Sequence, residues 1–181
     1  MAAKDFPVAF ERRIVKVPYR GGGVEVPVHL YSADGEYAGR PVLIVSGGVD
    51  TWKMDIHPWW VGFTQGAALT TMAFDHPGTG ETAIPLDKHA DKVICGLADY
   101  ARTLGNGKVV HFGVSFGGNF AAMSGLSGIV DAAAASAARS SGFSKPRTFR
   151  SCRTECTTSW ATPCTGIIPP PLRNSAAASN S

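Results

Sequence analysis

Long apolar runs and a high density of charge are both missing from this 181-residue sequence. No stretch reaches the roughly 18 unbroken apolar residues that a membrane-spanning helix needs. The first residues, MAAKDFPVAFERR, carry charges where a secretion signal has an apolar core. Charged residues make up 17% and hydrophobic residues 44%, which argues against a disordered chain or a coiled coil. We expect one cytoplasmic globular domain that has no membrane partner.

Cysteine is scarce, with four residues in the whole sequence. Cys95 stands alone in the first 138 residues, and Cys152, Cys156 and Cys164 lie near the end. These last three offer no fourth ligand nearby that would complete a tetrahedral zinc site. We therefore expect no metal, and no motif in the sequence indicates a cofactor.

The charges that are present are unevenly distributed. Residues 1–138 hold 11 Lys and Arg against 13 Asp and Glu, whereas residues 139–181 hold 6 against 1. The formal net charge of +3 therefore hides a near-neutral body and a basic tail. We expect no nucleic-acid partner for a body of near-neutral charge.

The apolar pattern of the body predicts strands that alternate with helices. FERRIVKVPYR and GVEVPVHLYS alternate apolar and polar residues around a glycine turn, as in a half-exposed antiparallel hairpin. RPVLIVSGG, ALTTMAFD and KVVHFGV are predicted to be buried strands, and helices are predicted in TWKMDIHPWWVGFTQGA, LDKHADKVICGLADYARTLG and GGNFAAMSGL. The fold class is α/β, with a mostly parallel sheet, an N-terminal antiparallel hairpin and helices on both faces. From Ala132 onward neither periodicity is present, and we expect nothing there to continue the sheet.

One serine lies where a predicted strand meets a predicted helix. Gly113-Val114-Ser115-Phe116-Gly117 matches the GxSxG pattern in the strand–turn–helix context of a nucleophile elbow. Glycines are needed there because the turn is too sharp for side chains that would meet the neighbouring strand and helix. The competing interpretation is a glycine-rich turn with an incidental serine.

Two other loops follow buried strands. Gly48 or Val49, in SGGVD, could supply one backbone N–H of an oxyanion hole, with Phe116 supplying the other. An ordinary glycine turn explains SGGVD equally well. Asp50, Asp75 and His76 are possible pocket residues, and we expect Asp75 to organise its own turn and His76 to contact that turn or the pocket.

Three segments of the body resemble the α/β-hydrolase superfamily: RPVLIVSGGVDTWKMD, FDHPGTGE and FGVSFGGNFAA. Within it they look like the branch of fermentation-respiration switch protein-like esterases, fungal pigment hydrolases that shorten polyketide chains, and a pseudooxynicotine hydrolase. The likeness covers about residues 8–134 and implies a partial α/β-hydrolase fold. It also implies a Ser, Asp and His triad in that order and a possible homodimer in intact relatives. The substrate that it implies is a small molecule, cleaved at an ester or at a carbon–carbon bond next to a ketone.

The sequence departs from this family pattern after the serine. All five histidines, at positions 29, 57, 76, 89 and 111, precede Ser115, and the acids that follow it are Asp131 and Glu155. No triad acid or base is therefore identifiable, and a serine hydroxyl without a base is a weak nucleophile. We expect His111 to be a satisfied core residue, and His29, His57 and His89 to lie at the surface or at a pocket edge.

The segment after the body has a different composition. We expect a partial hydrolase domain over residues 1–135 and an irregular basic tail over residues 136–181. A change of reading frame near Ala133 would account for the lost periodicity and the missing histidine together. Such a chain would lack both the front segment and the later catalytic half of the family, and would be weakly active or inactive. The alternatives are a genuine basic tail that binds acidic partners, a non-catalytic α/β binding protein, and a misannotated gene fragment.

Overall fold

The computed structural model describes residues 7–136. Its elements are, in chain order, β1 (Ala9–Tyr19), β2 (Gly22–Ser32), β3 (Val42–Ser46), α1 (His57–Ala67), β4 (Thr70–Phe74), α2 (Ala90–Leu104), β5 (Val109–Val114), α3 (Phe116–Leu126) and β6 (Ala132–Ser136). The predicted tail lies outside these residues, apart from Ser136. Its three cysteines, for which we expect no metal, also lie outside them.

The six strands form one sheet in the order β1-β2-β4-β3-β5-β6. β1 and β2 form the expected antiparallel hairpin, and β2 pairs antiparallel with β4. β4, β3, β5 and β6 run parallel, so that their carboxyl ends meet at one edge. The predicted mixed sheet is therefore confirmed, and the loops that follow β3, β4 and β5 lie along the same edge.

Helices cover both faces of the sheet, as the alternating pattern predicts. On one face, α1 buries Trp60 and Val61 against Tyr31, Leu43 and Val45. On the other, α2 presents a buried stripe at helical spacing to the larger core, and Phe120 of α3 packs there as well. α1 begins with Pro58 in its first turn, where a missing N–H costs nothing. No helix within residues 7–136 combines the length and apolar character that crossing a membrane requires.

The alternating sequence predicts a hairpin with one exposed face, but only β1 has such a face. Arg20 and Gly21 both have positive φ, 49° and 74°, which suits the tight turn that joins β1 to β2. β1 keeps alternating exposure, whereas the last seven residues of β2 are all buried. The reason is position, because β2 lies inside the sheet between β1 and β4 and is covered on both faces.

The sheet continues past the point at which we expected it to end. Ala132–Ser136 pairs parallel with β5 from Val110 to Val114, although a run of alanines has no alternation to mark a strand. The expectation that nothing after Ala132 continues the sheet is wrong, and the strand passes the predicted boundary at residue 135. Backbone pairing with β5, not side-chain pattern, defines this element.

Candidate active site

Ser115 lies at the sharp turn between β5 and α3. Its backbone has φ 54° and ψ −118°, a conformation that non-glycine residues rarely adopt and that is typical of strained functional positions. The side chain is exposed at the carboxyl edge of the sheet. The Ser115 N–H donates to the carbonyl of Ser136 at 2.8 Å, so the end of β6 helps to hold the turn.

The two glycines that flank the serine leave no room for a side chain. A Cβ built on Gly113 would lie 2.1 Å from the carbonyl oxygen of Gly117. One built on Gly117 would lie 2.4 Å from the carbonyl oxygen of Gly47. Both contacts are with backbone atoms that cannot rotate away. The steric reason that the sequence suggested for the GxSxG glycines is therefore present in the structure.

The loop after β3 lies directly against this turn. The Gly117 N–H donates to the Gly47 carbonyl at 3.1 Å. A Cβ on Gly48 would come within 3.2 Å of Ser115 Cβ and 3.4 Å of Ser115 Oγ, so the Gly48 backbone borders the hydroxyl. Among residues 7–136, no acceptor is hydrogen-bonded to the N–H of Phe116, Gly48 or Val49. Of these three donors, Phe116 follows Ser115 directly, Gly48 borders its hydroxyl, and Val49 is the next residue of the Gly48 loop.

Asp75 organises its turn, as expected. Its Oδ1 accepts from the Lys53 N–H at 2.7 Å, and its Oδ2 accepts from the Glu81 N–H at 3.1 Å. Its carbonyl accepts from Thr82 Oγ1 at 2.7 Å. Asp75 is only 3% exposed, so it supports the loop from inside and does not face an open pocket. Asp50, by contrast, is exposed, next to Val49.

His76 lies beneath the elbow, enclosed by aromatic rings. It stacks on Phe120 with ring centroids 4.6 Å apart, and packs edge-on against Phe74 at 5.0 Å and Phe116 at 6.0 Å. Neither ring nitrogen has a hydrogen-bond partner within the described residues. Burial lowers the pKa of His76 to about 4, so the ring is neutral at physiological pH.

The remaining histidines fall into two groups. His111 is buried with Ser46 Oγ at 3.2 Å from Nε2 and Ser124 Oγ at 2.9 Å from Nδ1, which confirms a satisfied core role. Burial lowers its pKa to about 3. His29 was expected at the surface or at a pocket edge. It does not lie at the surface, since it is 4% exposed in β2 with Phe10 packed edge-on against it. His57 and His89 are partly exposed.

The acids after Ser115 do not complete a triad in the described residues. Asp131 lies at the other end of β5, where its Oδ2 accepts from the Val109 N–H at 2.9 Å and its Oδ1 pairs with Lys108 Nζ at 3.2 Å. Val109 is the first residue of β5 and Ser115 follows its last, so the strand separates the two groups. Glu155 lies outside the described residues, which contain no hydrogen bond from an acid or histidine to Ser115.

Sequence reasoning missed Lys53. This lysine is 2% exposed and forms ion pairs with Asp75 at 2.5 Å and Glu81 at 2.7 Å. A lysine within the apolar stretch TWKM, and an aspartate directly after a buried strand, are the signals that could have suggested the pair. Within residues 7–136, no three His, Cys, Asp or Glu side chains group as a metal site requires.

Solved esterase and hydrolase structures share this fold. The Pyrococcus furiosus esterase Pf2001 matches with a TM-score of 0.54 and 15% identity over 68% of this chain and 46% of its own. Brefeldin A esterase, a bacterial homologue of human hormone-sensitive lipase, matches at 0.51 and 15% over 72% and 39%. The α/β-hydrolase GrgF from a Penicillium species matches at 0.54 and 23% over 69% and 45%.

These similarities establish the fold of the described residues, which is that of the α/β-hydrolases. The matched region spans less than half of each of these three proteins, at 46%, 39% and 45% of their lengths. No protein-family model and no curated protein matches the sequence.

Proposed function

We propose that this chain, whose described residues have the α/β-hydrolase fold, belongs to a serine hydrolase in which Ser115 attacks a carbonyl carbon. The substrate is a small molecule that carries an ester, or a carbon–carbon bond next to a ketone. The observation that carries the proposal is the strained backbone of Ser115, φ 54° and ψ −118°, at a strand-to-helix turn. Such strain persists where the surrounding structure imposes it, and it clusters at functional sites.

The proposed reaction begins when Ser115 Oγ bonds to the carbonyl carbon and the carbonyl π electrons move onto its oxygen. The N–H groups of Phe116 and of Gly48 or Val49 would hold that oxyanion, and the amino end of α3 would add its positive dipole. No cofactor enters this scheme. The proximity of the Gly48 backbone to Ser115 Oγ supports it.

The proposed reaction needs a general base, and none within residues 7–136 is hydrogen-bonded to Ser115. The hydroxyl proton must leave Ser115 as the new bond forms, and removing a triad member costs orders of magnitude in rate. No histidine follows Ser115 in this sequence, and His76 is enclosed by aromatic rings. We propose that this chain is weakly active or inactive as it stands, and that a frame-restored version is active.

A fluorophosphonate probe tests the nucleophile. We expect slow labelling of the wild-type chain and none of Ser115→Ala, with the modified peptide containing residue 115. Hydrolysis of a short-chain ester and of a β-diketone should be measured on this chain and on the frame-restored version. We expect the restored version to be faster by orders of magnitude. Equal rates would contradict the proposal that the base lies in the altered segment.

A second candidate is a non-catalytic binding protein that keeps the fold. The observation in its favour is that no acid or histidine within residues 7–136 is hydrogen-bonded to Ser115; His111 and Asp131 bond to other groups. Such a protein would fail to react with the probe at residue 115 in both the original and the frame-restored forms. The labelling experiment therefore discriminates between the two candidates.

A further inference from the structure

Lys53 is held in an unusual way for a lysine. It lies in the loop between β3 and α1, and its side chain is 2% exposed. Lysine is almost never fully buried unless its charge is paired, because removing an ammonium group from water is costly. Here the partners are two carboxylates, Asp75 at 2.5 Å and Glu81 at 2.7 Å.

The backbone of Lys53 is held as firmly as its side chain. The Lys53 N–H donates to Asp75 Oδ1 at 2.7 Å, while its ammonium group donates to Oδ2 of the same carboxylate. The Lys53 carbonyl accepts from the indole N–H of Trp60 at 3.1 Å. The N–H and the ammonium group of Lys53 are therefore both bonded to Asp75, directly after β4, and its carbonyl is bonded to Trp60 of α1. The arrangement fixes the position of the loop end as well as its charge.

The other end of the same loop is tied to the nucleophile turn. Gly47 accepts a hydrogen bond from Gly117, and a Cβ on Gly47 would meet the Thr51 carbonyl at 2.0 Å, so the loop folds back on itself. Residues 48–52 connect these two fixed points, Gly47 at one end and Lys53 at the other. They include Gly48 and Val49, whose N–H groups have no acceptor among the described residues.

We propose that Lys53 is a positioning residue that sets where the Gly48 and Val49 N–H groups point relative to Ser115. The inference rests on the proposed function, in which one of these groups holds the oxyanion. A buried ion pair is weak evidence for stability, since well-packed apolar residues often replace one without loss. The directional contacts of Lys53 with Asp75 fix the position of the loop, which a pair of apolar side chains would not do. Oxyanion donors must be placed to within a few tenths of an ångström.

The test uses two substitutions and a matched control. Lys53→Met keeps the length of the side chain but leaves Asp75 without its charge partner. Lys53→Met with Asp75→Asn also removes that uncompensated charge and keeps an oxygen that can accept from the loop N–H. Lys108→Met is the control, because Lys108 also pairs with an aspartate but lies 69% exposed before β5, at the end of the strand remote from Ser115.

Two readouts separate positioning from stability. The first is the rate of fluorophosphonate labelling at a temperature at which every variant is folded, and the second is hydrogen exchange at residues 47–52. We expect both Lys53 variants to label about 100-fold more slowly, the loss typical of a missing oxyanion donor. We also expect faster exchange in this loop. The double variant should recover stability without recovering the labelling rate, and Lys108→Met should change neither readout.

Each remaining outcome has a definite meaning. Unchanged loop exchange in Lys53→Met overturns the inference, whatever the labelling shows. An unchanged labelling rate in Lys53→Met overturns it as well, even if the loop exchanges faster, because the donors would then act without the position that Lys53 gives them. A labelling rate that recovers together with stability in the double variant also overturns it, because Lys53 would then act through stability alone. If the wild-type and frame-restored proteins both fail to label, the proposed function fails. The positioning role toward an oxyanion is then overturned with it, even if exchange shows that Lys53 holds the loop.

Discussion

The nucleophile turn depends on single residues with little freedom to change. Ser115 occupies a backbone region that costs of order 1–3 kcal/mol for a side-chain-bearing residue. Hydrogen bonds from Ser115 to Ser136 and from Gly117 to Gly47 hold the turn from both sides. The strain is therefore maintained by neighbours that belong to two other segments of the chain.

The glycines of the turn provide a direct steric prediction. We expect Gly113→Ala to lower the free energy of unfolding by more than about 2 kcal/mol, because the added methyl meets the Gly117 carbonyl at 2.1 Å. Urea unfolding measures the loss. Gly62→Ala is the matched control, since nothing lies within 4 Å of its Cβ position in α1. It should gain about 0.5–1 kcal/mol from helix propensity, and equal effects of the two substitutions would contradict this account.

At the scale of elements, β5 separates a structural acid from the candidate nucleophile. We expect Asp131→Ala to cost about 1 kcal/mol in unfolding free energy, because the Val109 N–H loses its acceptor at 2.9 Å. The rate of fluorophosphonate labelling should not change, since Ser115 lies at the opposite end of the strand. Lys108→Met, which removes only the ion pair, should cost less. A large fall in labelling with Asp131→Ala would instead indicate a role in the chemistry.

The elements that sequence reasoning placed correctly carry a repeated local signal. The apolar runs of β3, β4 and β5, the helical spacing of α2, and the GxSxG turn are all visible within short windows of sequence. β6 was not predicted because its alanines show no alternation, and only pairing with β5 defines it. The burial of His29 was not predicted, because alternation within the hairpin does not show that β2 lies inside the sheet.

In the candidate site, too, some residues could be predicted from local sequence and others depend on long-range contacts. Ser115 and the glycines around it were predictable because strand, turn and helix follow each other directly in sequence. The pairing of Lys53 with Asp75 spans 22 residues and two loops, so a short window of sequence can mark each residue as unusual but cannot show that the two meet. Parallel strands bring their carboxyl ends to one edge, and that long-range step assembles the site.

At the scale of the whole molecule, buried neutral histidines link stability to pH. Burial lowers the pKa of His29 and His76 to about 4, and that of His111 to about 3, whereas an unfolded chain has values near 6.5. Below pH 6.5 these histidines therefore bind protons in the unfolded state but remain neutral in the folded state. The stability that these groups contribute is fully present above pH 6.5 and is lost as the pH falls toward 4.

His76→Phe tests this linkage for one residue, and the aromatic surroundings of His76 suit a phenyl ring. Between pH 6.5 and 5 we expect the variant to lose stability less steeply than the wild type, by up to one proton, or about 1.4 kcal/mol per pH unit. Urea unfolding across this range measures the slope. The window lies above that in which Glu81 takes up a proton, because Lys53 and then Arg12 lower the pKa of Glu81 to about 2.

The control for this experiment removes packing without removing a titrating group. Phe63 packs on the opposite face of the sheet, with its ring centroid 5.4 Å from that of Phe112. Phe63→Leu should lower stability by a similar amount at every pH and leave the slope unchanged. A slope in His76→Phe equal to that of the wild type would mean that the folded protein protonates His76 as readily as the unfolded chain does. In that event the aromatic enclosure of His76 would be open to water, and the ring would be available to act as a base near Phe116.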